Sequence, residues 1–466
     1  MTTTPHPRRW AALALLSTAQ FMLILDITVV NIALPAIGGD LHLDRTALTW
    51  VVTAYTLLFG GLMLVGGRLA DLFGARRVLL TGLAGFTAAS LLAGLAPTAT
   101  VLLAARAAQG IGAALISPAA LAILTTTFAG AERTRALSVW AALGGTGSAA
   151  GVLVGGLLTG GPGWQWIFFV NVPVGVAVLA ALPAVTSASL PAPGSRRLDL
   201  RGALLVTAAT ATLIYTLIRA GDAGWASTRT LVGLVAAATL YATFVATQRI
   251  ARAPLMDTRI LARRPVLAGI FLMLTATALL VSSFFLGSFR LQHVSGYGPL
   301  ATGLAFLPVA VATVAGAHLG GRVLALVGPR AVAGVGLVAA AAGTGAAATV
   351  DATGGLIAGI SVAAAGIGAA FVAATTTALA HTDPHEAGVT SGIVNTFHEL
   401  GAAIGVAAVS GIAGASLSAG TAAGAGTAGF TRAFAVAAVA ALVAAATTAA
   451  LVPAGRPPAG LPVHVH

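Results

Sequence analysis

Gly67-Arg68-Leu69-Ala70-Asp71-Leu72-Phe73-Gly74-Ala75-Arg76 returns 254 residues later as Gly321-Arg322-Val323-Leu324-Ala325-Leu326-Val327-Gly328-Pro329-Arg330. Both glycines and both arginines coincide, and Ala325 replaces the acidic Asp71 in the second copy. Each copy follows one long apolar run and precedes another, which predicts a short turn on one face of a membrane. A repeat of this kind, once in each part of the chain, divides it into two related sets of helices. Transporters are built this way, with a substrate site between the sets near the membrane midplane.

Working outward from the repeat, apolar runs fall at 10–36, 47–66, 78–97, 99–124, 136–160, 165–186, 201–219, 230–248, 266–288, 299–321, 331–350, 354–379, 387–416 and 431–452. These predict an all-α polytopic membrane protein with fourteen transmembrane helices. At about 20 residues per span, fourteen spans use about 280 residues. That leaves no room for a sizeable soluble domain. Composition agrees, since 58% of the 466 residues are hydrophobic and only 8% are charged, against about 25% charged in soluble domains. The expected organisation is a six-helix half at 1–186, a linker with an inserted helix pair at 187–265, a second six-helix half at 266–452, and a tail at 453–466.

All 24 basic residues are arginine. Arg45, Arg219, Arg229, Arg290 and Arg432 fall in one set of turns and Arg106 lies inside a span, while the remaining 18 fall in the other turns and the tails. By the positive-inside rule the arginine-rich face, with both termini, is cytoplasmic. Pro7-Arg8-Arg9-Trp10 opens an apolar run that is too long for a signal peptide and contains Asp26 and Asn31. It reads as an uncleaved first helix of a cytoplasmic-membrane protein. The +12 charge has no polar domain to hold nucleic acid. Absence of cysteine excludes disulfides and thiolate metal sites, and His464 and His466 are too sparse for one. Absence of lysine excludes a phosphate-binding Walker loop, so no ATP site is expected. No His-Glu-x-x-His or nucleophile–base cluster points to an enzyme.

Asp26 is the sharpest local signal. A charged carboxylate in a lipid-embedded helix is costly, so such residues face the interior and carry function. Span 1 places it about 14 Å from the outer end, and span 4 places Arg106 about 10 Å from the same face. The two reach similar depth and predict a facing pair. A carboxylate there suits proton binding, with desolvation and the arginine acting in opposite directions. A structural ion pair is the alternative. In span 13, His398 and Glu399 lie about 18 Å from the cytoplasmic end. Adjacent helical residues point about 100° apart, so only one faces the cavity squarely. Glu399 suits attraction of a lipophilic cation, and His398 titrates near physiological pH. Asn31, Gln109, Asn171, Gln292 and Asn395 are further polar groups on or near spans, each satisfied by a neighbouring helix in the simplest reading. Gly147, Gly151, Gly155 and Gly156 read as one small-residue stripe for close helix packing. Gly74 and Gly328 suit tight turns. Asp40, Asp44, Asp222, Asp351, Asp383 and Glu386 read as solvated turn residues.

Five segments together resemble the fourteen-helix drug:proton antiporter family (EmrB/QacA-like) of the major facilitator superfamily. They are Leu25-Asp26-Ile27-Thr28-Val29-Val30-Asn31-Ile32-Ala33-Leu34-Pro35, the Gly67–Arg77 segment, Arg106-Ala107-Ala108-Gln109-Gly110-Ile111-Gly112-Ala113-Ala114, Gly147-Ser148-Ala149-Ala150-Gly151-Val152-Leu153-Val154-Gly155-Gly156, and Trp164-Gln165-Trp166-Ile167-Phe168-Phe169-Val170-Asn171-Val172-Pro173-Val174-Gly175. Val152 stands where that antiporter motif usually has proline, and Gln165 where the helix-6 opening usually has arginine. The resemblance implies a proton-coupled exporter of hydrophobic or cationic drugs, driven by the proton gradient without a cofactor and working as a monomer. It implies proton coupling at Asp26 and Arg106, and gating by Gly67, Arg68, Asp71, Gly74 and Arg76. Substrate contact is expected from Glu399, His398, Asn31 and Gln109. An uptake symporter for a small organic solute is the alternative on the same fold.

Overall fold

The computed structural model describes residues 8–43, 45–186, 199–251, 254–350, 352–379, 387–418 and 427–453. Asp44, Asp351, Asp383 and Glu386 fall outside them, as do the side chains of Asn31, Val152 and Asp222. Regular structure among the described residues is entirely helical: α1 Arg9–Asp40, α2 Arg45–Phe73, α3 Ala75–Gly94, α4 Ala99–Thr127, α5 Gly130–Gly160, α6 Trp166–Phe169, α7 Asn171–Val185, α8 Leu200–Ala223 and α9 Thr228–Ile250. There follow α10 Arg264–Phe289, α11 Pro299–Ala305, α12 Leu307–Val327, α13 Pro329–Thr349, α14 Thr353–Leu379, α15 Ala387–Ser418 and α16 Ala428–Leu451. Thirteen of the described spans are long and apolar enough to cross a membrane. The remaining expected span, 136–160, lies within α5, a 31-residue helix.

The sixth and tenth expected spans are irregular at one residue each, Val170 between α6 and α7 and Phe306 between α11 and α12. Both residues keep helical dihedrals, φ −58° and ψ −29° at Val170 and φ −83° and ψ −6° at Phe306, so each span runs on as one helix, Trp166–Val185 and Leu300–Val327. The repeated decapeptide also differs from expectation. It does not form a turn: α2 stays helical through Phe73 and α12 through Val327, so Gly67, Arg68 and Asp71 lie on helix. The reversal falls on one residue in each copy, Gly74 at φ +89° and Gly328 at φ +84°. Only a residue without Cβ enters this region easily, which is why glycine occupies both positions.

Helices α1 to α7 pack mainly among themselves, α3 and α2 on α4 and α1 on α5. A second set forms around α14, with α10, α12 and α13 against it. The sets meet along two seams, α2 with α15 and α5 with α12. The inserted pair α8–α9 sits over the first seam, where α8 packs on both α2 and α15. Its base is tied by one side chain: Gln248 donates to Asp199 at 2.6 Å and accepts from the Leu255 backbone at 2.6 Å. Asp199 in turn caps α8 through the Gly202 N–H at 2.9 Å.

On the arginine-rich face, polar links cross between the sets, among them two on described residues. Asp71 accepts the backbone N–H of Val389 at 2.9 Å. Arg133 donates to the Leu379 carbonyl at 2.8 Å. These bonds join the two sets on that face.

Candidate functional site

Asp26, halfway along α1, is completely buried and surrounded by donors. Arg106 Nη1 on α4 donates to Oδ2 at 2.6 Å, so the predicted pair forms. Oδ1 accepts from Asn171 Nδ2 at 2.8 Å and Gln109 Nε2 at 3.2 Å. Arg106 also donates through Nε to the Val51 carbonyl at 3.0 Å and through Nη1 to Gln109 Oε1 at 2.8 Å. Gln109 Nε2 reaches Ser90 Oγ on α3 at 2.8 Å. The guanidinium carbon lies 4.4 Å from the Tyr55 ring centroid and 5.8 Å from that of Phe168. Tyr55 is itself wholly buried, and its hydroxyl has no hydrogen-bond partner among the described residues.

One carboxylate therefore ties α1, α4 and α7 together, while the arginine adds α2 and Gln109 adds α3. Asn171, at the start of α7, delivers its amide to Asp26. Gln109 corrects a sequence expectation. It is fully buried among Asp26, Arg106 and Ser90, so it belongs to the ion-pair network and not to a substrate surface. A register argument reveals why: Gln109 lies three residues after Arg106 and therefore shares its helix face. Sequence reading passed over Tyr55 and Ser90, which carry no local signal, and took Asn171 as ordinary packing.

A cavity of about 50 Å³, which none of these residues lines, lies between the two helix sets. Its lining includes Gln20 and Trp140 from the first set, and Phe371, Thr375, Asn395 and His398 from the second. Ligand pockets for drug-sized molecules run to about 300–1,000 Å³. This cavity is smaller than such pockets. Of the neighbours His398 and Glu399, the histidine takes the cavity side. Its Nδ1 lies 2.9 Å from Thr277 Oγ1, and its ring centroid is 5.9 Å from that of Phe371. Glu399 does not line this cavity. Its Cβ lies 3.6 Å from where a side chain on Gly60 of α2 would begin, and Ile214 of α8 crowds the same point. The helical offset of about 100° between successive residues accounts for the divergence.

The expected gating residues cluster where α2 meets α3 and α15. Asp71 is buried and caps α15, Arg68 is half-buried one turn earlier, and Gly67 is buried. Arg76 donates to the Pro183 carbonyl at the end of α7, at 3.1 Å. The glycine stripe of α5 faces α1. A Cβ on Gly147 would lie 2.7 Å from Ile24 Cγ2, and one on Gly151 would lie 2.5 Å from Thr28 Cβ. Gly155 is buried on the same line, but Gly156 has open space around it and is not part of the stripe. It sits one residue off the i, i+4, i+8 face. Asp40, expected to be solvated, is exposed yet accepts from Trp164 Nε1 at 2.9 Å.

Two helix sets that meet around a shared cavity, with a buried ion pair inside the first of them, define a helical membrane transporter. Residues 16–406 match the Major Facilitator Superfamily, and the chain belongs to that family. It is 38% identical to the puromycin resistance protein pur8 of Streptomyces alboniger over 86% of this chain and 81% of that protein. It is equally similar, at 38%, to the cephamycin export protein CmcT of Amycolatopsis lactamdurans, over 86% of this chain and 85% of that one. The multidrug resistance protein Stp of Mycobacterium tuberculosis is 33% identical over 84% of this chain. The fold is shared with the human organic anion transporter MFSD10 (TETRAN), at TM-score 0.69 and 14% identity, covering 95% of this chain and all of the other.

Proposed function

We propose that this chain is a proton-driven exporter of hydrophobic small molecules of the antibiotic type, moving cargo outward by alternating access. It acts as a transporter rather than an enzyme, as a monomer in the cytoplasmic membrane with both termini inside. Its two halves comprise residues 1–186 and 266–452, with 187–265 inserted between them. The proton gradient supplies the energy, without a cofactor.

The observation that carries this reading is the set of partners around Asp26. Arg106, Gln109 and Asn171 all present donors to it. An ionised carboxylate accepts them all, whereas a protonated one adds a donor of its own and loses acceptor capacity. Proton binding would then loosen the joint between α1, α4 and α7, and proton release would restore it. A proton arriving from the outer side thus changes how the first half holds together, and the cavity beside it opens and closes with that change. Asp71 and Arg133 latch the arginine-rich face in the closed arrangement. The export sense comes from the relatives: pur8 and Stp are named for resistance and CmcT for export.

The experiment uses everted membrane vesicles with an imposed, inside-acid pH gradient and labelled puromycin as cargo. Wild-type chain should accumulate puromycin and lose it on collapse of the gradient, and Asp26→Asn should abolish uptake. Uptake that survives in Asp26→Asn would overturn the coupling role. No gradient-driven uptake by wild type would overturn the exporter reading.

A further inference from the structure

The cavity between the helix sets contains an unexplained polar pair. Asn395 is 8% exposed, lines the cavity, and its Nδ2 has no hydrogen-bond partner among the described residues. Gln20, from the other helix set, lines it too, and its Oε1 likewise has none among them. One residue comes from α1 and the other from α15, so each helix set contributes one. Buried polar atoms are nearly always paired, and each exception calls for an explanation. Here the two exceptions share one cavity, and they are complementary: a free donor on one wall and a free acceptor on the other.

The rest of the lining fits the same chemistry. Thr277 donates its hydroxyl to the Met273 carbonyl at 2.9 Å. Its oxygen is therefore left to accept from His398 Nδ1–H at 2.9 Å, which leaves Nε2 of the neutral imidazole as an acceptor. Trp140 and Phe371 supply flat apolar walls, and the residues lining the cavity include no carboxylate. The nearest acidic neighbour in sequence, Glu399, turns toward α2 and α8. A site for cations would set a negative charge against the cargo, and this one sets amides and an imidazole there instead.

We infer that the cavity selects uncharged aromatic cargo bearing amide or hydroxyl groups, with Gln20 and Asn395 as the two specificity-determining amides, one from each half. This rests on the exporter reading and narrows it away from lipophilic cations. A site built to hydrogen-bond its cargo rejects analogues lacking those groups, because its own buried groups are then left unpaired. Cargo bridging the two walls also engages both halves at once, which a contact with one half does not achieve.

The test uses the same everted vesicles, with puromycin as the reference cargo. The paired probes are chloramphenicol, which is neutral with an amide, hydroxyls and one ring, and tetraphenylphosphonium, a cation with no hydrogen-bonding group. Wild type should accumulate chloramphenicol at a far lower KM than tetraphenylphosphonium. Gln20→Leu and Asn395→Leu should each raise the chloramphenicol KM by about tenfold, the worth of one hydrogen bond. Asn395→Asp, nearly isosteric, should gain tetraphenylphosphonium uptake, a result that misfolding cannot produce. Several outcomes overturn the inference alone while puromycin transport stands. They are a tetraphenylphosphonium KM equal to or below that of chloramphenicol, no chloramphenicol uptake, an unchanged chloramphenicol KM in both leucine variants, or no gain in Asn395→Asp. An unchanged KM would mean that the amides hold water or packing only. Loss of puromycin transport by wild type itself is the separate failure of the exporter reading.

Discussion

The Asp71 carboxylate, on the last turn of α2, accepts the backbone N–H of Val389 at 2.9 Å, so an acidic residue of the first helix set caps a helix of the second. Asp71 is buried, and its partner stands at the start of α15. Carboxylates are favourable at helix N-termini because orphan N–H groups and the helix dipole both attract them. The contact exists only while the two sets are together on this face. The matching position of the second repeat, Ala325, has no side chain capable of the same link, so the latch is one-sided.

Removing this cap should open the arginine-rich face. Loss of an N-cap side chain costs about 1 kcal/mol, or roughly a fivefold change in a two-state balance. The chain has no cysteine, so a single Thr375→Cys reporter in the cavity is clean. Adding Asp71→Ala should raise its labelling by a membrane-impermeant maleimide, applied from that face, by about fivefold. Asp71→Asn, which keeps an acceptor, should fall between. Equal rates in all three backgrounds would show that Asp71 does not hold the face shut.

Replacing Arg106 by lysine should fail even though charge is kept. Arg106 uses its fork in two directions at once, Nε to Val51 and Nη1 to Asp26 and Gln109, and its flat face lies against Tyr55. Lysine has one ammonium and no plane, so it cannot satisfy the same set. Breaking a buried pair by removing one member costs about 3–5 kcal/mol. Arg106→Ala should therefore lower the thermal midpoint of purified protein sharply, with Arg106→Lys intermediate. Ser90→Ala removes one neutral acceptor and should cost only about 0.5–1.5 kcal/mol. Thermal unfolding followed by tryptophan fluorescence would rank the three, and a lysine variant matching wild type in stability and transport would contradict the forked-contact argument.

Much of this architecture was legible before any coordinates. The decapeptide repeat located two equivalent reversals, and Gly74 and Gly328 both take positive φ. Depth counting along spans 1 and 4 brought Asp26 to Arg106, because helical rise is fixed and both helices end on the same face. What stayed hidden depended on how helices rotate against one another. Nothing local distinguishes Ser90 or Tyr55 from other residues of their helices. The rotation of α7 that turns Asn171 toward Asp26 has no local signal either. His398 and Glu399 posed a choice that sequence could frame, and only the packing of α15 against α2 and α8 decided it.

The reversal glycines give a paired prediction about the two halves. Gly74→Ala and Gly328→Ala each force a Cβ onto a backbone of positive φ and extended ψ, +127° and +164°, that is nearly reserved for glycine, at about 1–3 kcal/mol apiece. The two turns are equivalent and far apart in sequence, so the losses should add in the double variant. Denaturation midpoints of the single and double variants would check this, and a single alanine as stable as wild type would mean that its turn relaxes to another conformation.

The glycines of α5 separate close packing from mere composition. At Gly151 a new Cβ would stand 2.5 Å from Thr28 Cβ, well inside contact distance, so α1 and α5 must part to admit it. Thr28 cannot simply rotate away, since the colliding atom is its own Cβ and its hydroxyl is held by the Ile24 carbonyl at 3.1 Å. Asp26 lies two residues earlier on α1, so a shift there disturbs the carboxylate as well as the packing. Gly156 has open space where its Cβ would go. Overpacking typically costs about 1–3 kcal/mol, whereas alanine for glycine on an open helix face gains about 0.5–1 kcal/mol. Gly151→Ala should thus lower both the melting midpoint and gradient-driven puromycin uptake, while Gly156→Ala leaves uptake intact and raises the midpoint slightly. Gly147→Ala, facing Ile24 Cγ2 at 2.7 Å and Ile24 Cβ at 3.0 Å, should fall between them because the methyl can move and the fixed Cβ stands farther off than that of Thr28. Three equal variants would mean that α1 and α5 are not in close register along this stripe.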